Sequence, residues 1–251
     1  MIYFVGAGPG AVDLITVRGQ NLLDEAGLII YAGSLVNPQL LQFAKEGCHI
    51  CNSASMTLED VLREMEQAEK KGWMTVRLHT GDPCLYGAIR EQMDALDQRQ
   101  IAYTYVPGVS SFSAAAAAVR KEYTLPGISQ SVIITRMEGR TPVPDGQRIA
   151  DYAAHHATMV IFLSTGLLDK LQTELIRGGY AEDTPSAIVY KASWPDERVF
   201  YCTVSTLAET AAAAGITRTA LILVGDFLDG PYDRSKLYDP AFTHGYRKAF
   251  Q

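Results

Sequence analysis

The stretch VRLHTGDPCLYG, residues 76–87, decides how the rest of the chain is interpreted. It predicts a buried strand through Val76 and Leu78, a loop over residues 80–83, and a helix that begins near Gly87. A strand end, a glycine and a helix N-terminus together form a concave site where backbone groups face a small ligand. We therefore expect a ligand-binding loop at residues 80–83.

Three other short turns follow apolar runs in the same way. They are GAGPG at residues 6–10, PGVSS at residues 107–111 and STG at residues 164–166. Loops at the ends of strands in an α/β sheet line one edge, and such folds bind ligands at that edge. We expect these loops to converge on one cofactor pocket.

The order of the predicted elements indicates an α/β fold with two domains. Over residues 1–121 strands alternate with helices, which predicts a mainly parallel sheet with right-handed crossovers. Over residues 122–230 strands are joined both by helices and by the short connection ASWPD at 192–196, which predicts a mixed sheet. Residues 231–251 form a charged, aromatic tail that the pattern leaves as either disordered or docked on a partner subunit; its aromatic residues are Tyr232, Tyr238, Phe242, Tyr246 and Phe250.

Composition excludes several classes of function. The 251 residues carry a formal charge of −6, which argues against a general nucleic-acid binder because such a protein needs a basic face. No apolar run approaches the roughly 18 residues that a membrane span needs. The first residues, MIYFVGAG, contain no basic leader, so we expect a cytoplasmic protein with no membrane partner.

The four cysteines suggest neither a disulfide framework nor a metal centre. Residues 48–51, CHIC, have the CxxC spacing of metal and redox sites, but the chain contains no second CxxC pair and these residues fall in a predicted short strand. Reduced, buried thiols are the preferred interpretation, and we predict no metal site.

The glycine turn at residues 6–11 also fits the dinucleotide fingerprint G-x-G-x-x-A. That fingerprint expects an acid at the end of the second strand, where this chain has Tyr31, Ala32 and Gly33. In addition, Pro9 has no N–H to offer a pyrophosphate. A nicotinamide or flavin site is therefore disfavoured.

The motifs together resemble the tetrapyrrole (corrin and sirohaem) methyltransferase family over residues 2–228. The resemblance is carried by GAGPG, GDP and PGVSS, and by longer strings shared with the members that methylate precorrin-4 or its cobalt complex: YAGSLVNP (31–38), SASMTLED (53–60), RLHTGDPCLYGAIREQMD (77–94), VPGVSSFSAAAAAV (106–119), GRTPVP (139–144) and YKASWPDE (190–197). Strings of this length are far more specific than a single glycine motif.

The resemblance implies methyl transfer from S-adenosylmethionine (SAM) to carbon-11 of (cobalt-)precorrin-4 in cobalamin synthesis, with S-adenosylhomocysteine as product. It also implies two α/β domains with SAM in the cleft between them, and a homodimer. The SAM contacts that it implies are Pro9, Thr80, Gly81, Asp82, Leu85, Ser110, Ser111, Leu163, Ala192 and one of Thr219 or Ala220. No catalytic side chain is implied, and no Ser/His/Asp set is apparent.

The implied substrate carries many carboxylates, so an acidic chain has to supply local cations. The candidates are Arg18, Arg136, Arg140 and Lys191, which lie beside the matching motifs; solvated surface charge is the alternative for each. Three other functions stay open at this point: another tetrapyrrole methyltransferase, an rRNA ribose methyltransferase of similar fold, and a non-catalytic carrier of SAM or tetrapyrrole.

Overall fold

The computed structural model describes residues 1–249 and divides into two compact units. The first unit contains Met1–Ala114 together with the segment Lys191–Glu197; the second contains Ala115–Tyr190 and the described residues from Arg198 onward. The domain limits predicted above stay a prediction. Phe250 of the predicted tail lies outside the described residues.

The first unit is built on a five-stranded sheet in which every pairing is parallel, as predicted. The strand order is β3-β2-β4-β1-β5. The strands are β1 (Ile2–Gly6), β2 (Leu28–Tyr31), β3 (His49–Asn52), β4 (Thr75–His79) and β5 (Tyr103–Val106). Gly6 pairs with His79 and Val5 with Val106, so three strands end at the same level. This register places the loops after β1, β4 and β5 side by side.

Three α-helices lie between these strands and a fourth follows β5, and two apolar clusters pack against the two faces of the sheet. The helices are α1 (Val17–Glu25), α2 (Leu58–Lys70), α3 (Arg90–Gln98) and α4 (Ser111–Val119). Short 3-10 helices cover Val12–Leu14, Pro38–Phe43 and Ser53–Ser55. One cluster contains Val5 and Leu78, the other Phe4 and Met65, all fully buried. Burying one such side chain contributes about 1.5–3 kcal/mol, so the two clusters fix the strands that carry the loops.

The helix predicted from Gly87 begins three residues later, at Arg90. Tyr86 and Ala88 have φ values of 57° and 48°, in the left-handed region that an α-helix cannot contain. A Cβ on Gly87 would lie 2.2 Å from the carbonyl oxygen of Pro83, so the chain makes a tight bend there. The prediction of the helix start was wrong because periodicity gives no information about these two backbone angles.

The second unit has a five-stranded mixed sheet, also as predicted. Its elements are β6 (Val132–Arg136), α5 (Ile149–Ala153), β7 (Thr158–Phe162), α6 (Leu168–Arg177), β8 (Pro185–Tyr190), β9 (Arg198–Thr203), α7 (Leu207–Ala213) and β10 (Ala220–Val224), with short 3-10 helices at Thr165–Leu167 and Val204–Thr206. In the order β6-β7-β10-β8-β9, β6 and β7 pair in parallel and the other pairs are antiparallel. A single apolar cluster, which includes Met159, Leu171 and Ile222, packs this sheet against α5, α6 and α7.

Part of the tail forms hydrogen bonds with other residues of the second unit. The amide of Asp233 donates to the carbonyl of Pro126 at 3.0 Å. A short 3-10 helix follows at Lys236–Tyr238, and Arg247 Nη2 donates to the carbonyl oxygens of Leu237 at 2.9 Å and Asp239 at 2.6 Å. Within residues 1–249, none of the helices combines the length and the apolar character that crossing a membrane requires.

Candidate functional site

The loops after β1 and β4 are joined by backbone hydrogen bonds. The amide of Gly8 donates to the carbonyl of Gly81 at 3.3 Å, and the amide of Gly81 donates back to Gly8 at 2.8 Å. Ala7 also donates to the carbonyl of His79 at 2.7 Å. The GAGPG turn and the GDP turn are therefore two sides of one small backbone bridge.

The loop after β5 packs against this bridge through glycines. A Cβ on Gly108 would lie 2.3 Å from the carbonyl oxygen of Gly81, and one on Gly6 would lie 2.5 Å from the Cα of Gly108. Real Cβ atoms do not approach other atoms this closely, so only glycine fits at either position. Gly81 itself has a φ of 59°, and a Cβ there would lie 3.4 Å from the amide nitrogen of Ser111. Three distant stretches of sequence thus meet at one edge of the first sheet; we call this the glycine-loop cluster (residues 6–10, 80–83 and 107–111).

The carboxylate of Asp82 holds the glycine-loop cluster together. Its Oδ2 accepts a hydrogen bond from the Gly108 amide at 3.0 Å. Its Oδ1 accepts one from the Cys84 amide at 2.9 Å and another from the hydroxyl of Tyr105. Both oxygens are therefore used within the protein, and Asp82 positions the loops around it.

The segment Lys191–Glu197 contacts the glycine-loop cluster and Ala11, the residue that follows its first turn. The Ala11 amide donates to Ser193 Oγ at 3.0 Å, and Trp194 Nε1 donates to the carbonyl of Pro9 at 3.1 Å. A Cβ on Gly10 would lie 2.1 Å from Cδ1 of Trp194, so the indole lies directly on the glycine turn. Sequence reasoning missed Ser193 and Trp194. The bulky indole in an otherwise short connection was the available signal.

The SAM contacts implied for the first unit lie at or next to the glycine-loop cluster. Pro9, Gly81, Asp82, Ser110 and Ser111 belong to it. Ala192, which the resemblance implied as a contact from the second domain, is buried and lies in the segment of the first unit that contacts Pro9. Whether these residues bind SAM stays a prediction that the geometry is compatible with, since backbone groups and small side chains surround the site.

Thr80, which belongs to the glycine-loop cluster, and Leu85 line a neighbouring cavity of about 330 Å³. Its lining includes two buried polar residues of β4 that were not predicted as site residues, Arg77 and His79. Arg77 donates to Gln92 Oε1 and to a backbone carbonyl, each at 3.1 Å, while His79 Nε2 has no hydrogen-bond partner among residues 1–249. Burial, reinforced by the positive charge of Arg77, lowers the pKa of His79 to about 3, so the imidazole is neutral at physiological pH.

The residues implied for the second unit meet at one edge of its sheet. Arg136 ends β6 opposite Phe162, which directly precedes Leu163, and the register of β7 with β10 places Ala220 at the same edge. Leu163 and Thr219 have φ values of 52° and 59°, so both lie in the left-handed region. Strained backbone of this kind concentrates at functional sites.

The same edge borders a cleft of about 980 Å³ with a cationic lining. Its charged lining residues are Arg136, Arg140, Arg148, Lys170, Arg177, Glu138 and Glu174. Arg136 donates to the carbonyls of Thr141 at 3.2 Å and Pro142 at 2.8 Å, and so braces the loop that carries Arg140.

The cations of this cleft differ in their partners. Arg177 pairs with Glu174, and Arg148 lies 3.8 Å from Glu138. Among the described residues Arg140 and Lys170 have no carboxylate within ion-pair distance. The charges of these two side chains are therefore available to an anionic ligand in the cleft.

The other two predicted substrate cations are placed differently. Lys191 lies in the first unit, where its Nζ contacts Asp196 Oδ2 at 2.6 Å and stacks over the ring of Trp194. Arg18 is exposed on α1 and does not line either of the two cavities described above. The four cysteines are free; Cys48 and Cys51 are only half-buried, so the predicted burial of this pair was wrong.

Comparison with known proteins gives consistent results. Residues 1–208 match the family model for Tetrapyrrole (Corrin/Porphyrin) Methylases. The chain is 51% identical to a cobalt-precorrin-4 C(11)-methyltransferase of Methanocaldococcus jannaschii, over 99% of this chain and 96% of that protein. A solved cobalt precorrin-4 methyltransferase, described as a cobalamin biosynthetic enzyme, superposes with a TM-score of 0.89 at 46% identity, covering 91% of this chain and 96% of the other.

A more distant structure was solved with a ligand bound. The uroporphyrin-III C-methyl transferase of Thermus thermophilus, complexed with S-adenosylhomocysteine, superposes with a TM-score of 0.74 at 25% identity, covering 90% of this chain and 92% of the other. The sequence motifs, the arrangement of both sheets and these matches agree: the chain belongs to the tetrapyrrole (corrin/porphyrin) methylase family.

Proposed function

We propose that this protein transfers the methyl group of SAM to carbon-11 of precorrin-4 or its cobalt complex, a step of cobalamin biosynthesis. The observation that carries the proposal is the glycine-loop cluster, in a chain 51% identical to a protein named for this reaction. The longer shared strings, such as GRTPVP and YKASWPDE, support this member of the family over its other methyltransferases.

The donor site fits SAM by shape and by the kind of groups that it offers. In the glycine-loop cluster, any side chain on Gly6 or Gly108 would clash with the backbone of a neighbouring loop, so main-chain atoms are left to face a ligand. Ser110 and Ser111 lie at the N-terminus of α4, and the positive end of a helix dipole favours a negatively charged group such as a carboxylate. The remaining implied contacts, Leu163 and Thr219 or Ala220 in the second unit, stay predictions.

The methyl transfer requires little chemistry from the side chains of the protein. The sulfonium of SAM supplies an activated methyl group, and the ring carbon that accepts it is an enamine-like nucleophile. The protein has to align the two reactants and exclude water, which is worth up to about 7–11 kcal/mol in favourable cases. Rigid loops suit that task, and Asp82 contributes by fixing the loops after β4 and β5.

The tetrapyrrole carboxylates require cations, and the cleft of the second unit offers them. Arg140 and Lys170 line it without a carboxylate partner among the described residues. Their charges are therefore available to the substrate, whereas Lys191 is already paired with Asp196. The predictions of a homodimer and of a cytoplasmic location are retained as part of this proposal.

Product analysis tests the proposed function. The purified chain is incubated with methyl-labelled SAM and with either metal-free or cobalt-loaded precorrin-4, and the corrinoid products are analysed by mass spectrometry. We expect one labelled methyl group on the ring, and the accepted form of the substrate identifies the route. Binding of both ligands without label transfer would instead indicate a carrier, and methylation of rRNA would indicate the alternative enzyme class.

A further inference from the structure

The CxxC stretch has no part in the proposed methyl transfer, yet the structure gives it a new neighbour. Its second and fourth residues, His49 and Cys51, lie on β3, the edge strand of the first sheet. Side chains two residues apart on a strand point to the same face. On that face α2 packs, and it brings Glu64 to the pair.

The three side chains are close enough to share one ion. His49 Nε2 lies 3.9 Å from Glu64 Oε2, and one ligand atom from each of His49, Cys51 and Glu64 lies within 4.8 Å of the others. Ligand atoms around a tetrahedral zinc ion lie about 3.4–3.6 Å apart, given bonds of about 2.0–2.3 Å. The His49 side chain is 55% exposed. It can therefore rotate to shorten its distances to the other two ligand atoms by the roughly 1 Å that a shared ion requires.

We propose that His49, Cys51 and Glu64 form a binding site for a divalent transition-metal ion of the zinc class. Imidazole, thiolate and carboxylate together suit Zn²⁺ or Co²⁺, and they exclude Mg²⁺ and Ca²⁺, which take oxygen ligands. Three protein ligands leave the fourth position to water. On binding, the Cys51 thiol gives its proton to solvent as the metal–sulfur bond forms.

The other thiol of the CxxC stretch provides a matched control. Cys48 precedes the strand, and it packs with the apolar cluster on the opposite face of the sheet from the cluster that contains Cys51. The same two thiols that suggested a CxxC pair in the sequence are therefore separated by the sheet. Only Cys51 is expected to bind the ion.

The test uses Co²⁺ alone as the probe, with neither SAM nor tetrapyrrole present, so that its result is independent of the proposed methyl transfer. Co²⁺ is titrated into the reduced chain, and the thiolate-to-cobalt charge-transfer absorption is recorded. We expect saturation at one Co²⁺ per chain, displacement by Zn²⁺, loss of the absorption in Cys51→Ser and its retention in Cys48→Ser.

Variants of the other two proposed ligands, His49 and Glu64, keep the test decisive if Cys51→Ser does not fold. His49→Ala and Glu64→Gln should each weaken Co²⁺ binding by at least about tenfold. Losing even a residue that only supports a metal ligand typically lowers metal affinity by about 10–100-fold, and here a proposed ligand itself is changed. Far-ultraviolet circular dichroism confirms that each variant is folded. Absence of saturable binding, unchanged affinity in both of these variants, or an absorption that disappears with Cys48 would overturn the proposal.

Discussion

The carboxylate of Asp82 accepts a hydrogen bond from the amide of Gly108 at 3.0 Å, although 26 residues separate them in the sequence. The bond joins the loop after β4 to the loop after β5, and the other oxygen of Asp82 is bonded to the Cys84 amide and the Tyr105 hydroxyl. The presence of an acid in the GDP motif is therefore explained by the hydrogen bonds with which Asp82 joins the two loops.

Replacing this carboxylate should destabilise the first unit. Asp82→Ala removes the acceptor from two backbone amides, and hydrogen bonds to a charged group contribute about 1.5–3 kcal/mol each. We expect the free energy of unfolding, measured by urea denaturation, to fall by at least about 3 kcal/mol, the lower limit for two such bonds. Asp94→Ala serves as the control, because it removes an exposed carboxylate paired with Arg90. It should change the free energy of unfolding by less than about 1 kcal/mol. Equal effects of the two variants would contradict the role given to Asp82.

A methyl group at the centre of the glycine-loop cluster should abolish donor binding. In Gly108→Ala the new Cβ would overlap the Gly81 carbonyl at 2.3 Å, so the two loops have to separate. We expect S-adenosylhomocysteine to raise the melting temperature of the wild type and to leave that of the variant unchanged. Gly245→Ala, where a Cβ meets nothing within 4 Å, should behave like the wild type. A normal thermal shift in Gly108→Ala would argue against a donor site here.

Removing a free cation from the cleft of the second unit should weaken substrate binding alone. Arg140→Ala and Lys170→Ala should each raise the Kd for the tetrapyrrole by a factor of about five, because an exposed charge pair contributes up to about 1 kcal/mol. The affinity for SAM should not change. Calorimetric titration of both ligands measures this, with Arg90→Ala on the surface of α3 as control. Unchanged tetrapyrrole affinity in both cleft variants would show that these cations are only solvated charge.

The buried imidazole of His79 should make the fold sensitive to acid. Its pKa is lowered from 6.5 to about 3 by burial and by Arg77, so between these values the unfolded chain binds a proton that the folded chain does not. The stabilisation is complete above pH 6.5 and is lost as the pH falls towards 3, by up to about 1.4 kcal/mol per pH unit. In His79→Gln, urea midpoints between about pH 6 and pH 4 should fall less steeply than in the wild type and in exposed His155→Gln. Identical slopes of urea midpoint against pH in all three proteins would contradict the role given to His79.

Much of the fold could be predicted because the local patterns were strong. Apolar runs such as residues 2–5 and 220–224 became fully or largely buried strands, and the class of each sheet followed from how its strands are connected. Of the four loops predicted to converge, those at residues 6–10, 80–83 and 107–111 meet because parallel strands in register place their following loops at one edge. Residues 164–166, in contrast, belong to the second unit, and their part in the site stays a prediction.

The parts that could not be predicted depend on contacts between distant residues. Whether Trp194 would lie on Gly10 depends on how the whole chain folds, which no local window contains. The left-handed angles of Tyr86 and Ala88 likewise gave no signal, since neither residue type favours that conformation. Glu64 joins His49 only because α2 packs on the strand that carries the histidine.

Equilibrium dialysis of labelled SAM against the folded wild-type chain tests the central claim most directly. If the turns at Gly8, Gly81 and Gly108 form a donor site, the chain should retain one SAM per protomer and release it when S-adenosylhomocysteine is added in excess. A folded chain that takes up no SAM at any concentration of ligand would contradict the account.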